Sequence, residues 1–354
     1  ELSGREAKTI HRLLEVGFTD DDELREYVRE STEPLEEDVV IIDEVSMVDA
    51  ILMSSLLSAI KPGGRVILVG DSDQLPSVGA GNVLSDIISS GIVPTISLDT
   101  VFRQAEESMI VVNAHKINLG EYPILNKKDK DFFFVEAEDT YKTAQLLTDL
   151  VCRRLPNAYG LDPMADIQVI SPMKKTQTGV YALNAALQAL LNPGEPGKNE
   201  RAFQNRILRE GDKVMQVKNN YDLLWKRAGG DEGSGVYNGD MGRIVEVKTA
   251  SVTILFDDGK KVVYENALLD EIELAYAVTV HKSQGSEFKT VVVPVFFGTE
   301  KLFSRNLLYT AVTRAREMVV LVGQKAALKK MVDNDYEAKR FSSLCWQLLE
   351  GENA

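Results

Sequence analysis

The chain has 354 residues, 44% of them hydrophobic and 27% charged, with a formal net charge of −14 and a pI near 4.9. That is the profile of a globular chain of two or three domains, and it excludes a protein coated in basic surface for nucleic acid, although not a basic groove on an acidic body. Two distant cysteines (Cys152 and Cys345), three scattered histidines (His11, His115 and His281) and the lack of any long apolar run argue against a disulfide scaffold, a metal centre and a membrane partner.

The first residue is Glu1 and not Met, so a segment upstream is expected to have been removed. Residues 1–16 predict a turn and a short helix. Residues 19–34 are acidic and helix-prone, with Leu24, Tyr27 and Val28 as the only apolar stripe, which suggests a solvated excursion. Val39-Val40-Ile41-Ile42 then runs into Asp43-Glu44-Val45-Ser46-Met47, and Arg65-Val66-Ile67-Leu68-Val69-Gly70 runs into Asp71-Ser72-Asp73-Gln74-Leu75-Pro76. Neither run alternates apolar with polar residues, so both predict parallel strands buried on both faces. Residues 47–60 between them predict the crossover helix, stopped by Lys61-Pro62-Gly63-Gly64.

Ligands of such sheets sit beyond the carboxyl ends of the strands. Asp43, Glu44, Asp71 and Gln74 should all emerge there. A carboxylate at that edge suits the Mg²⁺ that accompanies a nucleoside triphosphate, usually through water, and a second one can position or deprotonate an attacking water. Asp43 fits the first role and Glu44 the second. Asp-Glu is a common dipeptide and occurs here four times, but only this pair closes a run of four β-branched residues.

Residues 82–90 predict a helix ended by Gly91, and residues 95–98 a strand leading to Val101-Phe102-Arg103-Gln104. Arg103 could face the triphosphate from there or serve as an ordinary surface ion-pair partner. Residues 108–119 read as helix, and the polar link at 120–130 as a domain boundary. A second α/β unit follows, with strands at 131–135 and 166–170, helices at 141–155 and 179–191, and Ser171-Pro172-Met173-Lys174-Lys175 after its second strand.

Beyond Pro193-Gly194 the pattern changes to short alternating strands at 212–218, 242–247, 251–256 and 261–264, with Asp257-Asp258-Gly259 as a tight turn. These predict a small inserted β-barrel at 211–268, preceded by a flexible glycine-rich tract at 228–235. The α/β pattern resumes at 274–280, which leads into His281-Lys282-Ser283-Gln284-Gly285-Ser286-Glu287-Phe288. It continues with a strand at 290–295, a helix at 307–316 that carries Arg314, a last strand at 318–322 and a helical tail.

The ordered strings Asp43-Glu44-Val45-Ser46-Met47, Gly70-Asp71-Ser72-Asp73-Gln74-Leu75-Pro76, Phe102-Arg103-Gln104, the run from Val280 to Phe288, and Tyr309-Thr310-Ala311-Val312-Thr313-Arg314-Ala315-Arg316 resemble helicase motifs II to VI of superfamily 1. The wording is most similar to RecD-like helicases of the stand-alone class. The resemblance implies two RecA-like parallel-sheet motor domains with an inserted SH3-like barrel: 1–122, the first and incomplete, then 123–210 with 269–354, and the barrel at 211–268. It implies an ATP- and Mg²⁺-dependent 5′ to 3′ DNA helicase acting on single-stranded DNA and duplex junctions, in the bacterial cytoplasm.

In that scheme Asp43 binds Mg²⁺, Glu44 activates water and Gln74 senses the γ-phosphate. Arg103 and Arg314 reach that phosphate from opposite sides, and Asp71, Gly285 and Glu287 help to seat the nucleotide. Val78, Asn82, Pro172, Lys174, Thr279, His281 and Lys282 face single-stranded DNA. Two departures stand out. No Gly-x-x-x-x-Gly-Lys-Ser/Thr phosphate loop occurs in the 354 residues, so it is expected upstream of Glu1. The resemblance also implies a strand-separating β-hairpin before motif II, where this chain has its acidic stretch at 19–37. The competing readings are a helicase-like domain of a conjugative relaxase or Pif1-like protein, and a DNA-binding module without ATPase activity.

Overall fold

The computed structural model describes residues 7–14, 16–17, 26–27, 33–98, 107–128, 130–298, 302–336, 340 and 342–351. The chain forms two compact units, Glu1–Thr100 with Glu337–Ala354, and Val101–Tyr336. Arg103 lies outside the described residues.

In the first unit, Thr9 caps the short helix α1 (Ile10–Leu13). Strand β1 (Val16–Gly17) then pairs antiparallel with β2 (Glu26–Tyr27), in the register Val16 to Tyr27. The pairing replaces the expected helix at residues 26 and 27. It stands where the resemblance implies a hairpin.

Strands β3 (Val39–Ile42) and β4 (Arg65–Leu68) are parallel, with Val39 opposite Arg65 and Ile42 opposite Leu68. Helix α2 (Ala50–Ala59), capped by the Asp49 carboxylate, makes the crossover. Helix α3 (Val83–Ser90) ends at Gly91 in the left-handed conformation, where a Cβ would be strained. Val40, Ile42, Val45, Met53, Leu56, Val83 and Leu84 form the core.

Two expectations fail here. The strands are not buried on both faces: Val39, Ile41 and Ile67 are exposed while Val40 and Ile42 are buried, because among the described residues the unit's packed core gathers on one side of the sheet only. Residues 95–98 form no strand. Ile96 and Leu98 stand 88% and 94% exposed and belong to none of the described sheets.

The second unit opens with helix α4 (Met109–Asn118), capped by Ser108. It packs on a helix and a strand from much later in the chain. The polar link at 120–130 lies within the unit Val101–Tyr336.

Strand β5 (Phe132–Glu136) is followed by helix α5 (Thr140–Asp149), a π turn at Leu150–Arg154 and helix α6 (Leu155–Tyr159). Pro156 has no N–H to continue the α-helical ladder, which accounts for the π turn just before it. Strand β6 (Ile167–Ser171) and helix α7 (Val180–Leu191) come next. A hairpin of β7 (Glu200–Phe203) and β8 (Arg206–Arg209) leads into the insertion.

The insertion is a seven-stranded antiparallel sheet and not a four-stranded one. Its strands are β9 (Lys213–Gln216), β10 (Asn220–Lys226), β11 (Glu232–Val236), β12 (Met241–Val247), β13 (Ser251–Phe256), β14 (Lys261–Glu265) and β15 (Ile272–Leu274). They lie in the order β11-β10-β14-β13-β12-β9-β15.

The chain then re-enters the parallel sheet with β16 (Ala277–Thr279), β17 (Phe288–Val295), helix α8 (Arg305–Val312), β18 (Ala315–Gly323) and helix α9 (Lys325–Asp333). That sheet has the order β16-β6-β17-β18-β5, and every pairing in it is parallel. The run at 274–280 thus serves two sheets. Leu274 closes β15 of the insertion, and Ala277 opens β16 of the parallel sheet.

Buried polar groups pin this junction. Asp212 accepts from Gln188 Nε2 at 2.7 Å, Asn192 Nδ2 at 2.7 Å, Tyr276 Oη at 2.8 Å and the Arg209 amide at 2.7 Å. The Asn184 side chain donates to the Leu274 and Ala277 carbonyls and accepts from the Ala277 amide. One apolar core runs from Val169 and Leu183 through Val214 to Ile254 and Tyr264. The insertion is therefore packed into its host.

The final helix, α10 (Leu344–Gly351), returns to the first unit, where it packs on α3 and Leu344 meets the core.

Candidate functional site

In the first unit the acidic edge is built by the turn after β3. Val45 donates its amide to Val69 O at 3.0 Å, and Val69 donates to Ile42 O at 2.8 Å, which holds the two strand ends side by side. A Cβ on Gly70 would press on Leu84 and on the Val45 and Ser46 amides at 3.0–3.2 Å, so only glycine lets the turns approach this closely. Glu44 adopts a left-handed backbone, with φ 54° and ψ 40°. That conformation costs an ordinary residue about 1–2 kcal/mol and is retained chiefly at functional positions. Its amide donates to Asp43 Oδ1 at 2.8 Å, which fixes the two acids relative to one another, and Asp43 is exposed.

Asp71 accepts from the Asp73 amide at 2.9 Å and from Gln74 Nε2 at 3.2 Å. In the described contacts it orients Gln74. Gln74 is 8% exposed, and its Oε1 is buried with no partner among the described residues, as is Ser46 Oγ. An unpaired buried polar atom costs about 1–3 kcal/mol, so these two atoms beside an acid pair suit a polar ligand that supplies donors and acceptors. Asp43, Glu44, Ser46 and Gln74 fit a nucleotide with its Mg²⁺ on that ground. Ser46 lay inside a quoted motif, but nothing in its sequence position gave it a role.

Past Gln74 the chain folds back over the start of α2. The Ala50 amide donates to Ala80 O at 2.9 Å. A Cβ on Gly79 would fall on the Asp49 carboxylate, and Gly81 has φ +93°. Asn82 stands at the start of α3, and Val78 projects with 89% of its surface exposed.

The second unit carries two groups of candidate residues at opposite edges of its parallel sheet. Pro172 and Lys174 follow β6, and His281 and Lys282 follow β16. These strands are adjacent, with Ser171 opposite Thr279. Ser171 Oγ ties the first loop by donating to Thr178 O at 2.7 Å. Thr279 Oγ1 accepts from the Lys282 amide at 3.3 Å. His281 is exposed. Protein atoms crowded about its ring, and then the Lys174 cation, hold the imidazole below its ordinary pKa. Lys282 is not a free cation, because its Nζ meets Glu273 of β15 at 2.7 Å.

Gly285, Glu287 and Arg314 lie at the other edge, where β17 and β18 begin. The helix expected to carry Arg314 stops at Val312, and β18 starts at Ala315, so the arginine sits in the connecting turn. Its carbonyl accepts from the Phe288 amide at 2.8 Å, and its Nη1 donates to Ser286 O at 3.4 Å. The residue is 5% exposed, and its Nε is buried without a partner. Gly285 has φ +73° and Glu287 is exposed. A cavity of about 600 Å³ opens beside Glu287, lined also by Lys213, Arg243, Asp257 and Arg316.

Cys152 and Cys345 are free thiols. Among the described residues no cluster of three or more His, Cys, Asp or Glu could hold a metal by itself. No described helix is long and apolar enough to cross a membrane.

Comparison with known proteins agrees with the order of these parts. Residues 1–137 match an AAA domain, residues 183–257 the SH3 domain of ATP-dependent RecD-like DNA helicases, and residues 274–322 a UvrD-like helicase C-terminal domain. The chain is 36% identical over 346 residues to the ATP-dependent RecD2 DNA helicase of Deinococcus radiodurans, covering 97% of this chain and 44% of that protein. It is 29% identical over 346 residues to the RecBCD enzyme subunit RecD of Mycobacterium tuberculosis, covering 94% and 56%. The chain thus spans about half the length of these relatives. The fold is similar to that of Bacteroides Pif1 helicase solved with ADP-AlF3 and single-stranded DNA, at a TM-score of 0.52 and 21% identity, over 97% of this chain and 82% of that one. With a RecA-like parallel sheet, a RecD-like SH3 domain set into it, and the acid pair, Gln74 and Arg314 in motif order, the chain is similar along nearly its whole length to RecD-type DNA helicases.

Proposed function

We propose that this chain carries the motor of an ATP-driven helicase of the stand-alone RecD type, which moves 5′ to 3′ along single-stranded DNA. The observation that carries this reading is the strained Glu44, locked to Asp43 at a strand end and followed by the buried Gln74 with its unpaired oxygen. The higher identity to the RecD2 helicase, 36% against 29% for the RecBCD subunit, supports the stand-alone type.

When bound, Mg·ATP supplies the phosphoanhydride whose hydrolysis drives movement. Asp43 would hold the Mg²⁺, and Glu44 would take the proton of the attacking water. Gln74, oriented by Asp71, reads the terminal phosphate. Arg314 places a planar, permanently charged fork against the phosphate charge, and Gly285 and Glu287 shape the turn beside it. Arg103 is proposed for the matching role on its motif alone. Lys174, His281 and Thr279, with Pro172, Lys282, Val78 and Asn82, face the single strand. The β1–β2 pair is proposed as the base of a strand-separating hairpin at duplex junctions.

DNA-stimulated ATP turnover by the natural gene product tests the reading. Glu44→Gln keeps size and hydrogen bonding but removes the base, so turnover should fall at least 10²-fold while ATP-dependent DNA affinity is kept. Wild-type turnover in that variant would remove Glu44 from the mechanism.

A further inference from the structure

Arg340 lies far beyond the motifs, in the terminal segment that returns to the first unit. Among the described residues its guanidinium bonds to one loop only. Nη1 donates to Gly79 O at 2.6 Å, to Gly81 O at 2.7 Å and to Ser77 Oγ at 3.2 Å, and Nη2 donates to Ser77 O. Three backbone carbonyls of a five-residue stretch are thereby turned toward a single cation. A flexible loop would not hold its carbonyls convergent unaided, since carbonyl dipoles pointing at one place repel each other. An arginine, with five donors in a rigid plane, is the side chain suited to gather them.

The rest of the loop is shaped to accept this arrangement. Ser77 Oγ also reaches Gly79 O at 3.3 Å. Gly79 leaves room for the Asp49 carboxylate that caps α2, and Gly81 takes a positive φ. With its carbonyls drawn inward, the loop presents the 89% exposed Val78 outward. It begins three residues after Gln74 and ends at the first turn of α3. One stretch of backbone therefore runs from the phosphate-sensing side chain to the surface proposed for DNA.

We infer that Arg340 is a positioning residue, which sets the Ser77–Gly81 loop in the conformation that grips single-stranded DNA. The inference rests on the proposed function in one respect, namely that this loop meets DNA. The arginine touches neither nucleotide nor DNA itself. A second side chain of the same segment gives the control: Leu344 packs on the core of the unit.

The experiment uses the 354-residue chain and a fluorescein-labelled oligothymidylate, together with amide hydrogen exchange. Arg340→Ala should weaken oligothymidylate affinity about tenfold, the factor that corresponds to 1.4 kcal/mol. It should raise exchange at residues 77–82 while leaving β3 and β4 unchanged. Arg340→Lys, which keeps the charge but cannot span the acceptors, should recover only part of the affinity. Leu344→Ala should lower the melting temperature yet bind DNA nearly as wild type.

Unchanged exchange at residues 77–82 in Arg340→Ala, or unchanged affinity beside raised exchange, would overturn the inference. So would an equal loss of affinity in Leu344→Ala, which would reduce the arginine to general support. If the wild-type chain fails to bind oligothymidylate, the functional reading of the loop falls instead, and the exchange result alone still decides whether Arg340 sets its conformation.

Discussion

Lys213 stands where a cation is poorly solvated. The residue is 8% exposed, and among the described residues its Nζ reaches only the Ile167 carbonyl, at 3.4 Å. Burial lowers its pKa from 10.5 to about 8, although the Asp257 carboxylate pulls it part of the way back up. For a base depressed in this way the unfolded chain binds the proton more tightly than the folded one. The cost is therefore full below pH 8 and is relieved as the pH rises toward 10.5. The interval corresponds to about 3 kcal/mol at most. Lys213→Met, which fills the same space without charge, should raise the stability of the second unit by about 2 kcal/mol at pH 7. That advantage should shrink by pH 9.5. Denaturant titrations of both proteins at the two pH values check it, and a gain of the same size at each would mean that packing, and not the charge, is responsible. Sequence reading could not single out this lysine. Its strand alternates as a surface strand would, and only the tertiary fold shows that Lys213 faces the cavity beside Glu287. Arg340 escaped for the same reason, since nothing near it in the chain marks a residue whose partners are at 77–81.

The elements that could be read in advance were those whose periodicity and caps agree: β3 and β4 with their crossover α2, α3 with Gly91 at its end, and the parallel strands of the second unit. Those misread had a local signal that tertiary packing overrode. Glycines 233 and 235 suggest a flexible linker, yet they lie in β11 because a Cβ there would strike the Trp225 ring at 2.6 Å and the Tyr237 hydroxyl at 2.5 Å. The sheet of the insertion is larger than its alternating strands suggested, and its root can be located. Val217 donates to Glu271 O at 2.7 Å, and Lys218 pairs with Asp270 at 2.6 Å. Removing residues 219–269 and joining Lys218 to Asp270 would cut the insertion at its neck. Asp212, Asn184 and Gln168, which pin the junction, all remain. In the natural gene product this excision should reduce DNA unwinding several-fold more than DNA-stimulated ATPase. Equal losses would mean that the insertion chiefly supports its host sheet, a role its continuous core would also allow.

At the scale of the whole molecule, a net charge of −14 repels DNA at long range, so binding has to be won locally. The candidate contacts are few: the loop at 78–82, the turn at Pro172–Lys174 and the segment Thr279–Lys282. Within them the charges are fewer still. The His281 imidazole is held below its ordinary pKa, and Lys282 is tied to Glu273. Each phosphate neutralised on a single strand contributes about −0.7 to the slope of log affinity against log salt. Three to five such contacts give a slope of roughly −2 to −4, shallow beside that of a basic DNA-coating protein. The two lysines should also differ. Lys174→Ala removes a cation for which no ion pair is formed among the described residues, and should make the slope less negative by about 0.7. Lys282→Ala should change it by less, because the Glu273 pair already offsets that charge, and Glu273→Gln should strengthen binding by releasing it. Fluorescence titration of a labelled single strand from low to physiological salt measures all four proteins. A slope far steeper than −4 that neither lysine variant alters would place the DNA on another surface of the molecule.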